Sequence, residues 1–333
     1  MGLNFFKTSS KRFGVEITEN HLRLVEVSFE GSGISLVGAI ELPLPEGTVR
    51  QGKFKNISSL ANNITEARLK AQPNPISASN FCLSLPNKIV TVGHITVPSA
   101  TKSEARKIAI KKFAEASHLE LKNNYFDLSI VANRKEIGLE FLCSAASIEN
   151  IQDIIKISRL LGISPLAIEP AVLANGRVCA SHPSHEGRTI TVSIDHNSSS
   201  IALWAKGQLL DMKNLSGTGL ASILEDNGIR ETGAEYAEIK KLHLESDGLR
   251  ESLNNITEGI ISVLTASAAK QSDNLPITKI ILSGPGAYLP KIDYILEKEF
   301  RISTTIKTIK FTNGYSIGPE FITAFGLAQR SEV

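Results

Sequence analysis

The chain has almost no surplus of either charge: 36 Lys and Arg face 34 Asp and Glu among 333 residues, a formal net charge of +2. Bulk attraction to a nucleic-acid backbone is therefore not expected. Long hydrophobic runs are missing too. No stretch approaches the roughly 20 apolar residues of a membrane-crossing helix, and the apolar segment 259–269 is short and carries Ser and Thr. Residues 1–7 hold no apolar stretch long enough for a signal peptide. Cysteine is scarce: Cys82, Cys143 and Cys179 are odd in number, widely spaced and set beside apolar or small residues. They read as buried thiols of a reducing cytosol, not as a disulfide framework. No Ser-His-Asp or Cys-His nucleophile arrangement has a supporting local motif. Cys179, His182 and His185 recur at three-residue spacing without a fourth ligand, so a polar loop is expected there and not a metal site.

What is present is the composition of a globular protein of two ordinary domains, 42% apolar and 21% charged. The most informative pattern is an internal echo. Residues 13–17 read as a strand, 18–21 as a polar turn, 22–29 as an alternating strand and 34–42 as a third run. Strands over 189–194, 200–205 and 209–215, with a polar turn at 195–199, repeat this rhythm in the second half. Two antiparallel meanders, each opening its half, predict a duplicated α/β fold.

Helices are predicted over 58–71, 101–118, 147–161 and 249–269. Thr101-Lys-Ser-Glu104 is a capping box, followed by Ala105, Ile108, Ala109 and Phe113 at helical spacing. Ile148, Ile151, Ile155 and Leu160 mark the third helix, which Gly162 stops. Leu249, Leu253, Ile256, Ile260, Val263 and Leu264 mark the fourth. Strands over 81–85, 89–97, 125–132 and 139–145 surround the 101–118 helix and predict a small α/β insert. The expected organisation is a first lobe over 1–80 completed by 146–187, an inserted subdomain over 81–145, and a second lobe over 188–333. That second lobe carries a small helical insert at about 220–272, and 178–188 is the interdomain loop.

Four turns could hold phosphate, because small and hydroxyl residues let backbone N–H groups approach phosphate oxygens. One runs from Glu16 to His21 and one from Ser193 through Ser200, each leaving the first strand of its lobe. A third links a strand at 279–282 to a helix at 291–300 through Ser283, Gly284, Gly286 and Ala287. The fourth is Ser216-Gly217-Thr218-Gly219. Each is weak alone, since Gly is the default turn residue; their order raises the signal. Other residues have plainer readings. Trp204 is expected to pack at a lobe edge, Phe5, Phe6, Lys7, Lys11 and Arg12 to form a basic tail, and Arg106, Lys107, Lys111 and Lys112 a solvated helix face.

Along nearly its whole length the sequence resembles the PilM family of type IV pilus assembly proteins and, more broadly, the actin, heat-shock-70 and sugar-kinase fold. The likeness is carried by residues 13–27, Leu44-Pro-Glu-Gly-Thr-Val49, Leu85-Pro-Asn-Lys-Ile-Val90, the Glu169-Pro170 segment within 166–175, and 280–290 with its Gly284 turn. The insert opening at Leu85 is typical of PilM and its cell-division relative FtsA. The resemblance implies a duplicated, two-lobed actin-like (ribonuclease H-like) fold with ATP between the lobes. It assigns Glu16, Thr18, Glu19, Asn20, His21, Ser193, Asp195, His196, Asn197, Ser198, Gly217, Gly219, Ser283, Gly284, Gly286 and Ala287 to the nucleotide, and Mg²⁺ to Glu16 and Asp195.

The departures bear on this. Glu16-Ile-Thr18 stands where Asp-Ile-Gly or Asp-Ile-Ser is usual, and Glu19 where a small hydroxyl residue is. Ser193 replaces an Asp, Asp195 a Gly, and Arg23 stands where Lys is common. A carboxylate about 4 Å from a phosphate charge repels it by roughly 4 kcal/mol at an effective dielectric near 20, whereas a bridging Mg²⁺ reverses the sign. Two expectations follow: Glu16 and Asp195 help to hold Mg²⁺–ATP, or the cleft is weak or empty and the fold persists for its surfaces. Fast hydrolysis is expected of neither.

The function implied is a cytoplasmic scaffold, peripheral to the inner membrane through its partners. It would bind the cytoplasmic N-terminal tail of a PilN-like membrane protein in a cleft between first lobe and insert, near 89–97 and 106–113. Other pilus platform or motor proteins would be further partners. The alternatives are an ATPase or kinase of the same fold, with Glu16 the one carboxylate whose place suggests water activation, and an FtsA-like protein. The latter would carry a C-terminal membrane helix beyond the closing helix expected at 317–329.

Overall fold

The computed structural model describes residues 11–31, 33–98, 101–134, 138–180, 187–226, 228, 239, 253–270 and 275–330. Phe5, Phe6, Lys7, His182, His185, Leu249, part of the expected interdomain loop and much of the expected helical insert at 220–272 lie outside them.

The first lobe opens with β1 (Arg12–Ile17), β2 (His21–Glu30) and β3 (Gly33–Pro43), antiparallel in sequence. A ribbon of β4 (Val49–Arg50) and β5 (Lys53–Phe54) leads to α1 (Ile57–Lys70), whose first turn is capped by the Asn56 side chain. After β6 (Gln72–Pro73) and β7 (Asn80–Leu85) the chain leaves the lobe. It forms the insert from β8 (Val90–Val97), α2 (Lys102–Ala116), β9 (Asn124–Arg134) and β10 (Gly138–Ser147). Then α3 (Ile148–Leu161), β11 (Ser164–Pro170) and α4 (Ala171–Cys179) complete the lobe. The second lobe comprises β12 (Arg188–Ile194), β13 (Ser198–Ala205), β14 (Gln208–Ser216), α5 (Leu220–Asp226), α6 (Asn254–Lys270), β15 (Ile277–Ser283), α7 (Ile292–Phe300) and β16 (Thr304–Ile306). The described chain ends with β17 (Ile309–Lys310), β18 (Ser316–Ile317) and α8 (Ile322–Ala328).

Strand order shows the duplication. The first sheet runs β11-β7-β1-β2-β3-β6 and the second β14-β13-β12-β15-β16. In both, the opening strand pairs antiparallel with its successor and parallel with the strand that follows the first helical crossover. The turns match as well: Thr18 N–H donates to the His21 carbonyl and Asp195 N–H to the Ser198 carbonyl, each at 2.9 Å. Glu16 and Ser193 are thus equivalent, as are Thr18 and Asp195. β1 is buried at every residue because it is flanked by strands on both edges and covered by helices on both faces.

Several expectations are corrected. α3 buries Asn150, Ile154, Ile157 and Ser158 and leaves Leu160 60% exposed, so its core stripe lies one step round from the one read. Ile108 of α2 is 40% exposed, while Ala105, Ala109 and Phe113 are buried as expected, and the Thr101–Glu104 capping box forms. Trp204 is a packed residue of β13, as expected, at the face where the second lobe meets the first. It is buried between α4 and β13, its indole N–H donating to Thr191 Oγ1 at 3.0 Å, and a Cβ on Gly176 would lie 2.1 Å from its ring. The stretch from β17 to α8 was assigned to the second lobe, yet Phe311, Ile317, Ala324 and Phe325 pack with Val25, Val27 and Leu36 of the first. The apolar face of β2 and β3 needs a cover, and the chain returns to supply it.

That return depends on close backbone approach. A Cβ on Gly14 of β1 would stand 1.9 Å from the Ala324 carbonyl oxygen. Gly14→Ala is therefore expected to destabilise the protein by about 3 kcal/mol, since α8 must lift off β1. Urea denaturation against the parent measures it.

Candidate functional site

The turns β1–β2 and β12–β13 face each other across a cleft open to solvent. Strand register sets its floor. Arg23 of β2 stands directly opposite Glu16 of β1 on one side and Glu41 of β3 on the other, so three charged residues form a row across three strands. Arg23 Nη1 lies 3.3 Å from Glu16 Oε2, and its Nε donates to Glu41 Oε2. The guanidinium also reaches across the cleft, where Nη2 is 3.5 Å from Asp195 Oδ1. Its side chain is only 1% exposed. Beside it the turns touch directly: Asn197 Nδ2 donates to Asn20 Oδ1 at 2.8 Å, and the His21 and His196 rings lie 5.6 Å apart, edge to face.

Of the residues expected to bind a nucleotide, Glu16, Thr18, Glu19, Asn20, Ser193, Asp195, His196, Asn197, Ser198, Gly217 and Gly284 line this cleft. Glu19 is engaged by the first lobe, accepting from Gly52 N–H at 3.1 Å. Five others stand behind the lining. His21 packs on His196. Gly219 is pressed against the His196 carbonyl and Gly286 against the Ile194 side chain, where a Cβ would come within 2.2 Å. Ser283 is fully buried and accepts from Asn175 Nδ2, and Ala287 is core. Gly284 is required by conformation, with φ +79° and the Ile194 carbonyl 2.4 Å from a Cβ position. The reading missed Arg23 and Glu41 as site residues, together with Asn175, Glu320 and Thr323. A lone Arg amid Leu22-Arg23-Leu24-Val25 was a signal for the first two, since a buried strand charge needs partners.

No family model matches the sequence, and no curated protein matches it. Among solved structures, one titled PilM-PilN type IV pilus biogenesis complex aligns over 96% of this chain and 97% of its own, at TM-score 0.75 and 20% identity. The ethanolamine utilization protein EutJ of Carboxydothermus hydrogenoformans aligns over 96% and 88%, at TM-score 0.52 and 14% identity. The cytoplasmic domain of EpsL, an inner-membrane component of the Vibrio cholerae type II secretion system, aligns over 97% of both chains, at TM-score 0.50 and 9% identity. The fold is actin-like.

An actin-like cleft raises the question of Mg²⁺ between Glu16 and Asp195. Mg²⁺ demands oxygen ligands at about 2.0–2.1 Å in octahedral geometry. Here both carboxylates already face the Arg23 guanidinium, which would have to withdraw before either could ligate the ion. As arranged, the pair does not fit the ion. The three buried cysteines are unpaired with one another, and burial pushes the thiols of Cys143 and Cys179 up to about 12, so neither is a nucleophile. Glu169 of the Glu-Pro segment is absent from the cleft lining and bound by Arg177 and Arg330.

Desolvation raises the Glu16 carboxyl to about 7, with Asp195 adding repulsion; Arg23 and a hydrogen bond with Thr323 pull the other way. Burial likewise raises Glu320, whose carboxylate accepts from Tyr288 Oη at 2.7 Å. The sign for stability follows. Between about 4.5 and 7 the folded protein holds a proton on Glu16 that the unfolded chain releases, so stability falls as pH rises through that window. Relative to Glu16→Gln, the parent is expected to lose about 3 kcal/mol between pH 4.5 and 8. Parallel urea melts across that range provide the check.

Proposed function

We propose that this chain is a cytoplasmic actin-like scaffold of a type IV pilus assembly machine, capturing the cytoplasmic N-terminal tail of a PilN-like membrane partner. The observation that carries the reading is the end-to-end similarity to the chain of the PilM-PilN complex, insert included. The EpsL domain supports it as a second actin-like chain at an inner-membrane machine. Among the described residues no helix is long and apolar enough to cross a membrane, which fits attachment through a partner.

Peptide capture would use the insert. In its sheet, ordered β8-β10-β9, β8 is an edge strand with one side unpaired by any strand among the described residues. A groove of about 780 Å³ runs beside it, lined by Val92, Gly93, His94, Ile95 and Phe113. It opens towards β14 of the second lobe, where Leu209 to Met212 form the far wall, and not towards the first lobe as expected from the sequence. An extended peptide could add main-chain hydrogen bonds to β8 and place alternate side chains in the groove. Nucleotide binding in the cleft would be weakened by the acidic floor and by Arg23's commitment to carboxylates.

A synthetic PilN-like tail peptide is expected to bind the purified chain without nucleotide, by calorimetry or fluorescence anisotropy. Ile95→Glu should weaken it at least about tenfold by placing a charge in the groove, and because Ile95 also packs against the insert core the melting temperature should fall while the circular-dichroism spectrum is kept. Absence of peptide binding would remove the scaffold reading. Substantial phosphate release from Mg²⁺–ATP, lost in Glu16→Ala, would favour an ATPase instead.

A further inference from the structure

The cleft between the lobes has an internal cation, and its position is informative. Arg23 belongs to the first lobe, is held there by Glu16 and Glu41 in the same strand row, and extends the remaining edge of its guanidinium to Asp195 of the second. A planar fork with five donors suits this, because it can serve several carboxylates in different directions at once. Asp195 occupies the turn position equivalent to Thr18, so the second lobe presents a carboxylate where the first presents a hydroxyl. The two opening meanders are thereby complementary: β2 of the first carries the cation and the β12–β13 turn of the second carries the anion that completes its shell. The Asn20–Asn197 hydrogen bond closes the same corner.

We infer that the Arg23 guanidinium is the resident cation of this cleft, joining Asp195 of the second lobe to Glu16 and Glu41 of the first as a bridging divalent ion would, so that lobe closure is independent of metal. The ground is where Arg23 sits and what it donates to. The inference does not depend on the pilus reading and would stand if the tail peptide failed to bind.

Interlobe distance tests it. Ser58 on α1 and Lys298 on α7 are exposed, one on each lobe, and the native cysteines are buried. Spin labels on Ser58→Cys and Lys298→Cys report separation by pulsed dipolar spectroscopy in the full chain. The expected result is a single short-distance population that neither EDTA nor millimolar Mg²⁺ moves. Adding Arg23→Gln should shift it to longer, broader distances. Because that change strands buried carboxylates, Asp195→Asn is the second variant: Asp195 is 27% exposed at the side chain, and the change removes the charge that meets Arg23 across the cleft. It too should lengthen the distance, with the circular-dichroism spectrum unchanged. A parent distance that changes on adding EDTA or Mg²⁺ would overturn the inference, as would Asp195→Asn retaining the parent distribution.

Discussion

A guanidinium that is 1% exposed has given up nearly all its water, and that loss costs several kcal/mol unless its donors are met. Here they are met by carboxylates from two lobes, and much of the arrangement follows from this constraint. The register of β1, β2 and β3 has to bring Glu16 and Glu41 alongside Arg23; a slip of one residue would turn the row away. The second lobe has to arrive with Asp195 at a set distance, which the β12–β13 turn and its 2.9 Å Asp195–Ser198 hydrogen bond arrange. Such a cluster adds little net stability compared with apolar packing. What it supplies is a preferred relation between lobes.

Other contacts share that task with different chemistry. At one end α4 meets β13 through Trp204, Val172 and Leu209, and a Cβ on Gly176 would clash with the indole. Elsewhere, Asn214 Nδ2 of β14 donates to the Asn87 carbonyl between β7 and β8 at 3.0 Å. His94 of the insert contacts the Leu209 carbonyl at 2.7 Å, so the insert is tied to the second lobe beside the proposed peptide groove. A peptide wedged along β8 would therefore meet a wall whose position depends on how the lobes are set. This gives a physical route from partner to cleft without nucleotide turnover.

The duplicated meanders and the insert were legible in the sequence because alternation and turn chemistry are local, whereas the convergence of the two opening turns was implied by the family resemblance. Aligning Glu16-Ile-Thr18 with Ser193-Ile-Asp195 matches Glu16 to Ser193 and Thr18 to Asp195, and a shared crevice between the two turns then sets Glu16 near Asp195. What lay between them was not legible. Arg23 was visible as a departure from a common Lys, but its partner Glu41 is 18 positions away and is set beside it only by strand register. Ser283, Gly286 and Ala287 have the composition of a phosphate loop, yet tertiary packing turns them into the core behind it. The return of 309–328 to the first lobe depends on which sheet face lacks a cover, a property of the whole chain.

In this actin-like frame an internal ion cluster joins the two lobes, and the coupling between Arg23 and Asp195 across the cleft is its interlobe part. A double-mutant cycle of Arg23→Gln and Asp195→Asn, read by urea denaturation at pH 8, measures that coupling directly. The account predicts about 1–2 kcal/mol; additivity within about 0.3 kcal/mol would contradict it.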